Sequence, residues 1–130
     1  MTTDDSSVAE ILLGFETLTI DASCFHHREH VLAAFALLRE YEFIDAAAKY
    51  AKGIRAIAER AGAHDKFNLT ITYAFMSLIA ERMAGFDGDF PAFVQAFPEV
   101  LDKNVLSGLY DGDRLGSELA KRVFLMPSAA

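Results

Sequence analysis

Three of the four histidines fall within five residues of chain, in the run Cys24-Phe25-His26-His27-Arg28-Glu29-His30. Imidazole is the side chain whose ordinary pKa lies nearest neutrality, so such a cluster can move protons, polarise a carbonyl or ligate a metal. With a step of about 100° per residue on a helix, His27, His30, Ala34, Leu37, Leu38 and Tyr41 share one sector, opposite Arg28, Glu29, Arg39 and Glu40. His27 and His30 are therefore expected to face the interior, with His26 at the border and reaching water. Buried imidazoles need hydrogen-bond partners. Asn68 and Thr72, on the same helical stripe as Phe75 and Ile79, can supply them from a later helix. Where the two helices cross near their starts, the four side chains would line a polar hole in an apolar wall, which is how a ligand site in a helical bundle is built. Tyr110 and Tyr41 complete the set of expected substrate-binding groups around the catalytic candidates His27 and His30.

Acid–base chemistry requires only one imidazole that titrates near working pH and a second group to orient it, and the pair provides both. The competing reading makes the two rings core histidines satisfied by backbone carbonyls and by each other. A metal site is less complete. The spacing is not His-Glu-x-x-His, no Glu-x-x-His run exists, and the pair leaves only Asn68 or Tyr110 as further neighbours, so no metal and no cofactor is expected. Cys24 precedes His27 by about one helical turn, but a lone cysteine is more often a small buried hydrophobe than a nucleophile. Asp-Gly-Asp occurs at 87–89 and 111–113 without the rest of a calcium loop, and turns with helix caps account for both copies. His64 is read as a solvated loop residue.

The elements that must position these groups recur at helical spacing almost throughout, which predicts an all-α fold: a compact bundle of about four main helices followed by short C-terminal ones. A first helix starts after Ser6 or Ser7 and carries Val8, Ile11, Leu12 and Phe15 on one stripe. Asp21 is expected to cap a second helix running to about Tyr41, in antiparallel contact with a third from roughly Ile44 to Ala61, ended by Gly62. The third turns Ala47, Tyr50, Ala51, Ile54, Ala58 and Ala61 inward, and Lys49, Lys52, Glu59 and Arg60 outward. Asp65 is placed as the cap of a fourth helix, from about Lys66 to Ala84, and Gly85 to Asp89 breaks it. Short helices follow at Phe90-Pro91, Pro98, Asn104 to Tyr110 and Ser117 to Phe124, with frayed ends at 1–6 and 127–130.

Several of these runs carry a resemblance: Phe15-Glu16-x-Leu18, Phe25-x-His27-x-x-His30-Val31, Lys66-Phe67-Asn68-x-Thr70-x-Thr72, Leu101-Asp102-Lys103 and Leu109-Tyr110. Their order and spacing resemble a family of small, all-helical bacterial proteins of unassigned function, with counterpart segments Phe-x-His-x-x-His-Val and Tyr-His-Glu-Thr-x-Thr. The resemblance implies that His27 and His30, and not His26, are the family's paired histidines. It also marks a departure. Where that family has His-Glu this chain has Asn68-Leu69, so a third imidazole and a carboxylate that would complete a metal or acid–base site are missing here.

The 130 residues are read as a single helical domain, and 52% hydrophobic with 24% charged side chains is ordinary globular usage. Nineteen acidic against twelve basic side chains give a net charge of −7, the wrong sign for wrapping a phosphate backbone, so nucleic acid is not an expected partner. No apolar run is long enough to span a membrane, the polar start lacks the pattern of an export signal, and one cysteine fits a reducing cytoplasm. The expectation is thus a cytoplasmic small-molecule-binding protein. In it His27 and His30 act on a neutral or weakly polar ligand by lyase, isomerase or hydrolase chemistry. The alternative is a non-catalytic binding or assembly module, with Phe86, Phe90, Phe93 and Phe97 available as a contact patch for a partner or a homodimer, and a His-ligated metal protein is a further alternative.

Overall fold

The computed structural model describes residues 3–128, and side-chain surroundings from residue 8 onward. Every regular element is helical, with no strand among the described residues. Seven α-helices follow in order: α1 (Thr3–Thr17), α2 (His27–Glu40), α3 (Phe43–Arg60), α4 (Leu69–Met83), α5 (Phe90–Ala96), α6 (Gly112–Leu115) and α7 (Glu118–Arg122). Short 3-10 turns at Ala22–Cys24, His64–Lys66, Pro98–Leu101 and Val105–Gly108 join them. None of the helices is long and apolar enough to cross a membrane.

The packing centres on α2. It touches α1, α3, α4 and the turn Pro98–Leu101, and Val31, Ala33, Ala34, Phe35, Ala36 and Leu37 are all buried. The spacing of its apolar residues implies one inner face for this helix. Contacts from several sides bury most of its circumference instead, and Arg28 and Arg39 lie over the rings of Phe90 and Phe35, at 5.1 and 5.0 Å from their centroids. α3 buries Ala46, Ala47, Tyr50, Ala51 and Gly53, so two backbones approach closely on small residues. At Gly53 a Cβ would overlap the Phe15 ring of α1. Gly62 has φ +72, a left-handed conformation that suits a residue without a Cβ just past the end of α3. Ala61, expected inside, is exposed because α3 has already ended at Arg60.

Several boundaries differ from expectation, each for a local reason. α1 is helical from Thr3, so Ser6 and Ser7 lie within it and do not precede it. Asp21 accepts the N–H of Ser23 and caps the turn Ala22–Cys24. α2 starts only at His27, with the Glu29 carboxylate taking the His26 N–H at 2.8 Å. Asp65 lies in a 3-10 turn, and the cap of α4 is Asn68, whose Oδ1 accepts the Ile71 N–H at 2.9 Å. Asp89 and Asp111, from the two Asp-Gly-Asp runs, cap α5 and α6 through the N–H groups of Ala92 and Asp113.

The phenylalanine-rich end packs inward. Phe90 and Phe93 are buried, and Phe86 and Phe97 stand against Phe93 at 5.6 and 5.4 Å between centroids. A contact patch built on Phe90 and Phe93 is therefore not formed. Beyond α7 the chain is tied down rather than frayed: Thr70 Oγ1 donates to the Val123 carbonyl and accepts the Leu125 N–H, while Ser128 N–H donates to the Leu109 carbonyl and Ser128 Oγ accepts the Asp111 N–H. Residues 1, 2, 129 and 130 lie outside the described residues.

Candidate functional site

A cavity of about 280 Å³ opens between the start of α2, the second half of α3, the start of α4 and the segment around Val105–Gly108. That is near the lower end of the range for small-molecule sites, roughly 300–1,000 Å³. His27 and His30 line it together with Asn68 and Thr72. Apolar walls come from Ile54 of α3, Ile71 and Phe75 of α4, and Leu106. The crossing of two helices near their N-terminal ends, anticipated from the stripes of α2 and α4, is thus formed.

Each imidazole has one defined partner and one open edge. The Nε2 of His27 lies 3.0 Å from the Val100 carbonyl oxygen. A carbonyl only accepts, so Nε2 carries the proton and the Nδ1 of the neutral ring is left as an acceptor. The Nδ1 of His30 lies 3.4 Å from the Tyr50 hydroxyl, which is also 3.5 Å from the His30 carbonyl oxygen. When the hydroxyl donates to Nδ1, His30 carries its proton on Nε2. Among the described residues no buried polar side-chain atom lacks a partner. The two ring nitrogens without partners are therefore reachable from solvent, and the cavity is the space that both rings line.

The electrostatics keep His30 neutral. Burial, aided by the nearby His27, pushes its pKa down to about 4, with Glu29 opposing weakly. Burial also pushes the Tyr50 phenol upward, so its hydroxyl stays protonated and available as a donor. The rings of His27 and His30 stand 6.2 Å apart between centroids, and Phe75 and Phe25 flank them at 5.7 and 4.5 Å respectively. The arrangement thus offers an acceptor at His27 and, beside it, an uncharged imidazole oriented by a tyrosine. Groups so disposed can accept a proton or donate a hydrogen bond to a molecule between them.

The remaining expected residues fall into two groups. Asn68 and Thr72 line the cavity, but their polar atoms serve the fold: Asn68 Nδ2 donates to the Leu115 carbonyl at 2.8 Å, and the Thr72 hydroxyl donates to the Asn68 carbonyl at 2.7 Å. One of the two Asn68 N–H donors is thus committed to the fold, and Thr72 keeps only lone pairs. Tyr41 and Tyr110 are not brought to the site. Tyr41 donates to Glu16, which Lys49 also holds at 3.1 Å, and Tyr110 donates to the Leu125 carbonyl at 2.9 Å. Tyr41 sits at the far end of α2 from the histidines, so sharing a helical sector with them does not give it proximity. His26 and His64 are exposed. Cys24, read as a buried hydrophobe, is also exposed, with its thiol 3.8 Å from Asp21, and it lines a different cavity from His27.

Three residues at the cavity were not assigned a role from sequence. Tyr50 was placed inward on α3 but not matched to His30, although a lone hydroxyl on an otherwise alanine and isoleucine stripe marks a polar contact. Lys66 and Lys103 also line the cavity. They share this lining with His27, His30, Phe67, Asn68 and Thr72. No protein-family model, curated protein or solved structure matches the chain.

Proposed function

We propose that this chain is a small-molecule-binding protein whose cavity supports proton transfer, in a bundle with α1 to α4 as its four main helices and a cytoplasmic setting. The observation that carries the reading is that both imidazoles line one cavity and each keeps one ring nitrogen without a protein partner, that of His27 fixed as an acceptor by the Val100 carbonyl. In this reading His27 takes up or returns a proton at Nδ1, while Val100 holds the ring's orientation and tautomer. His30, uncharged and steadied by Tyr50, polarises the ligand through Nε2. Lyase, isomerase and hydrolase steps all use such a pair, and the residues favour none of them over the others.

A second reading is favoured by the same hydrogen bonds. His27 ties α2 to the turn Pro98–Leu101, and His30 ties α2 to α3 through Tyr50, which is what structural histidines in a non-catalytic binding module would do. The two readings part at His27→Gln. The glutamine amide can keep the donor to Val100 while removing the imidazole. Under the proton-transfer reading His27→Gln stays within about 1 kcal/mol of the parent in urea unfolding, yet changes how compounds from a metabolite library shift the NMR signals of cavity residues. If no compound shifts those signals and only stability responds to substitution at 27, the structural reading stands and the proposal fails.

A further inference from the structure

The cavity wall carries charge of one sign only. Lys66 and Lys103 line it and no aspartate or glutamate does, in a chain with 19 acidic against 12 basic side chains. Three other cations find carboxylates, Lys49 with Glu16 at 3.1 Å, Arg82 with Glu99 at 2.8 Å and Lys121 with Glu118 at 3.2 Å, whereas most of the chain's lysines and arginines form no ion pair among the described residues, so it is the shared cavity and not the lack of a partner that sets Lys66 and Lys103 apart. Among the described residues Lys66 and Lys103 form no ion pair. Asp65 and Asp102 precede them in the chain, but neither lines the cavity, and Asp102 Oδ1 accepts the Asn104 N–H at 2.9 Å.

The two lysines come from separate segments, the turn His64–Lys66 and the link before Val105–Gly108, and the fold brings both to one opening. Both are exposed, so their ammonium groups stay hydrated while the cavity is empty. The lining beyond them is mainly apolar, with Ile54, Phe67, Ile71, Phe75 and Leu106 around the two imidazoles. Cations at the mouth of an apolar hollow match a molecule that is charged at one end and greasy at the other, because the head keeps water and counter-charge while the body is removed from water.

We infer that the cavity takes a small organic carboxylate, with its anionic head at Lys66 and Lys103 and its apolar body reaching His27 and His30. This rests on the reading of the cavity as a small-molecule site and names the class of its ligand. It departs from the neutral or weakly polar ligand that the sequence suggests, because neither lysine enters that expectation. The small volume, about 280 Å³, restricts the body to a short branched chain or a single ring.

NMR titrations of the full chain with benzoate, phenylacetate and isovalerate, each against its own amide, test the assignment. Each acid should bind about three- to tenfold more tightly than its amide, with signals shifting at residues of the cavity wall. The difference should shrink at high salt, and should vanish in the double variant Lys66→Gln, Lys103→Gln while binding of the amides stays unchanged. Equal binding of acid and amide, or a preference that survives the double substitution, overturns the carboxylate assignment and leaves a small-molecule site of other specificity. If none of the six compounds shifts the cavity signals, both the assignment and the small-molecule reading fall.

Discussion

Acidification should destabilise this protein through His30 before its carboxylates titrate. The ring's ordinary pKa is 6.5 and burial takes it to about 4 in the folded chain. A base whose pKa is lowered by folding binds its proton first in the unfolded chain, so protonation favours unfolding as pH falls. The stability associated with the neutral ring is fully present above about pH 6.5, drains away through the interval down to about 4, and does not change further below it. At about 1.4 kcal/mol per pH unit across that interval, the whole loss is about 3 kcal/mol, of which about 2 kcal/mol is gone by pH 5. A loss of that size is a large part of the 5–15 kcal/mol by which domains are typically stable. The assay is urea unfolding at pH 7.5, 6 and 5 for the parent and for His30→Leu, which cannot titrate and leaves the residue-30 carbonyl within reach of the Tyr50 hydroxyl. The parent should lose about 2 kcal/mol more than the variant between pH 7.5 and 5. Glu16, Asp21 and Glu99, whose pKa values are lowered by their hydrogen bonds, are common to both proteins and cancel in the comparison. Parallel loss of stability in the two proteins would refute the reading of His30 as a half-buried ring held neutral by its surroundings.

Other substitutions test the frame that holds the site. Gly53→Ala puts a methyl group into the Phe15 ring and should cost about 1–3 kcal/mol; a melting temperature equal to the parent's would show that α1 and α3 are not in such close contact. Asn68→Ala removes the cap of α4 and the bond to the Leu115 carbonyl together, for about 2 kcal/mol. Asn68→Ser keeps a cap acceptor and, with its shorter side chain, loses only the donor to the Leu115 carbonyl. It should therefore fall between the parent and Asn68→Ala in urea unfolding, and equal loss in the two variants would rule out separate roles for the two ends of the amide.

The sequence by itself determined the helical class, most of the stripes and the inward turn of His27 and His30. These follow from a 3.6-residue period that any local stretch of chain displays. It also placed Asn68 and Thr72 beside the imidazoles, since both lie on the stripe that α4 presents to α2. It did not determine what those groups do. Asn68 was read as a ligand-facing amide, and the structure spends it on capping Ile71 and holding Leu115, a carbonyl 47 residues further along the chain. Tyr41 and Tyr110 were grouped with the site by helical sector and by motif, and distance along α2 and the pull of the Leu125 carbonyl put them elsewhere. Periodicity gives a direction around a helix axis but carries no information on which long-range partner arrives there. The bond from His27 to Val100, the pairing of His30 with Tyr50, and the meeting of Lys66 with Lys103 at one opening were decided only when segments 20 to 73 residues apart packed together.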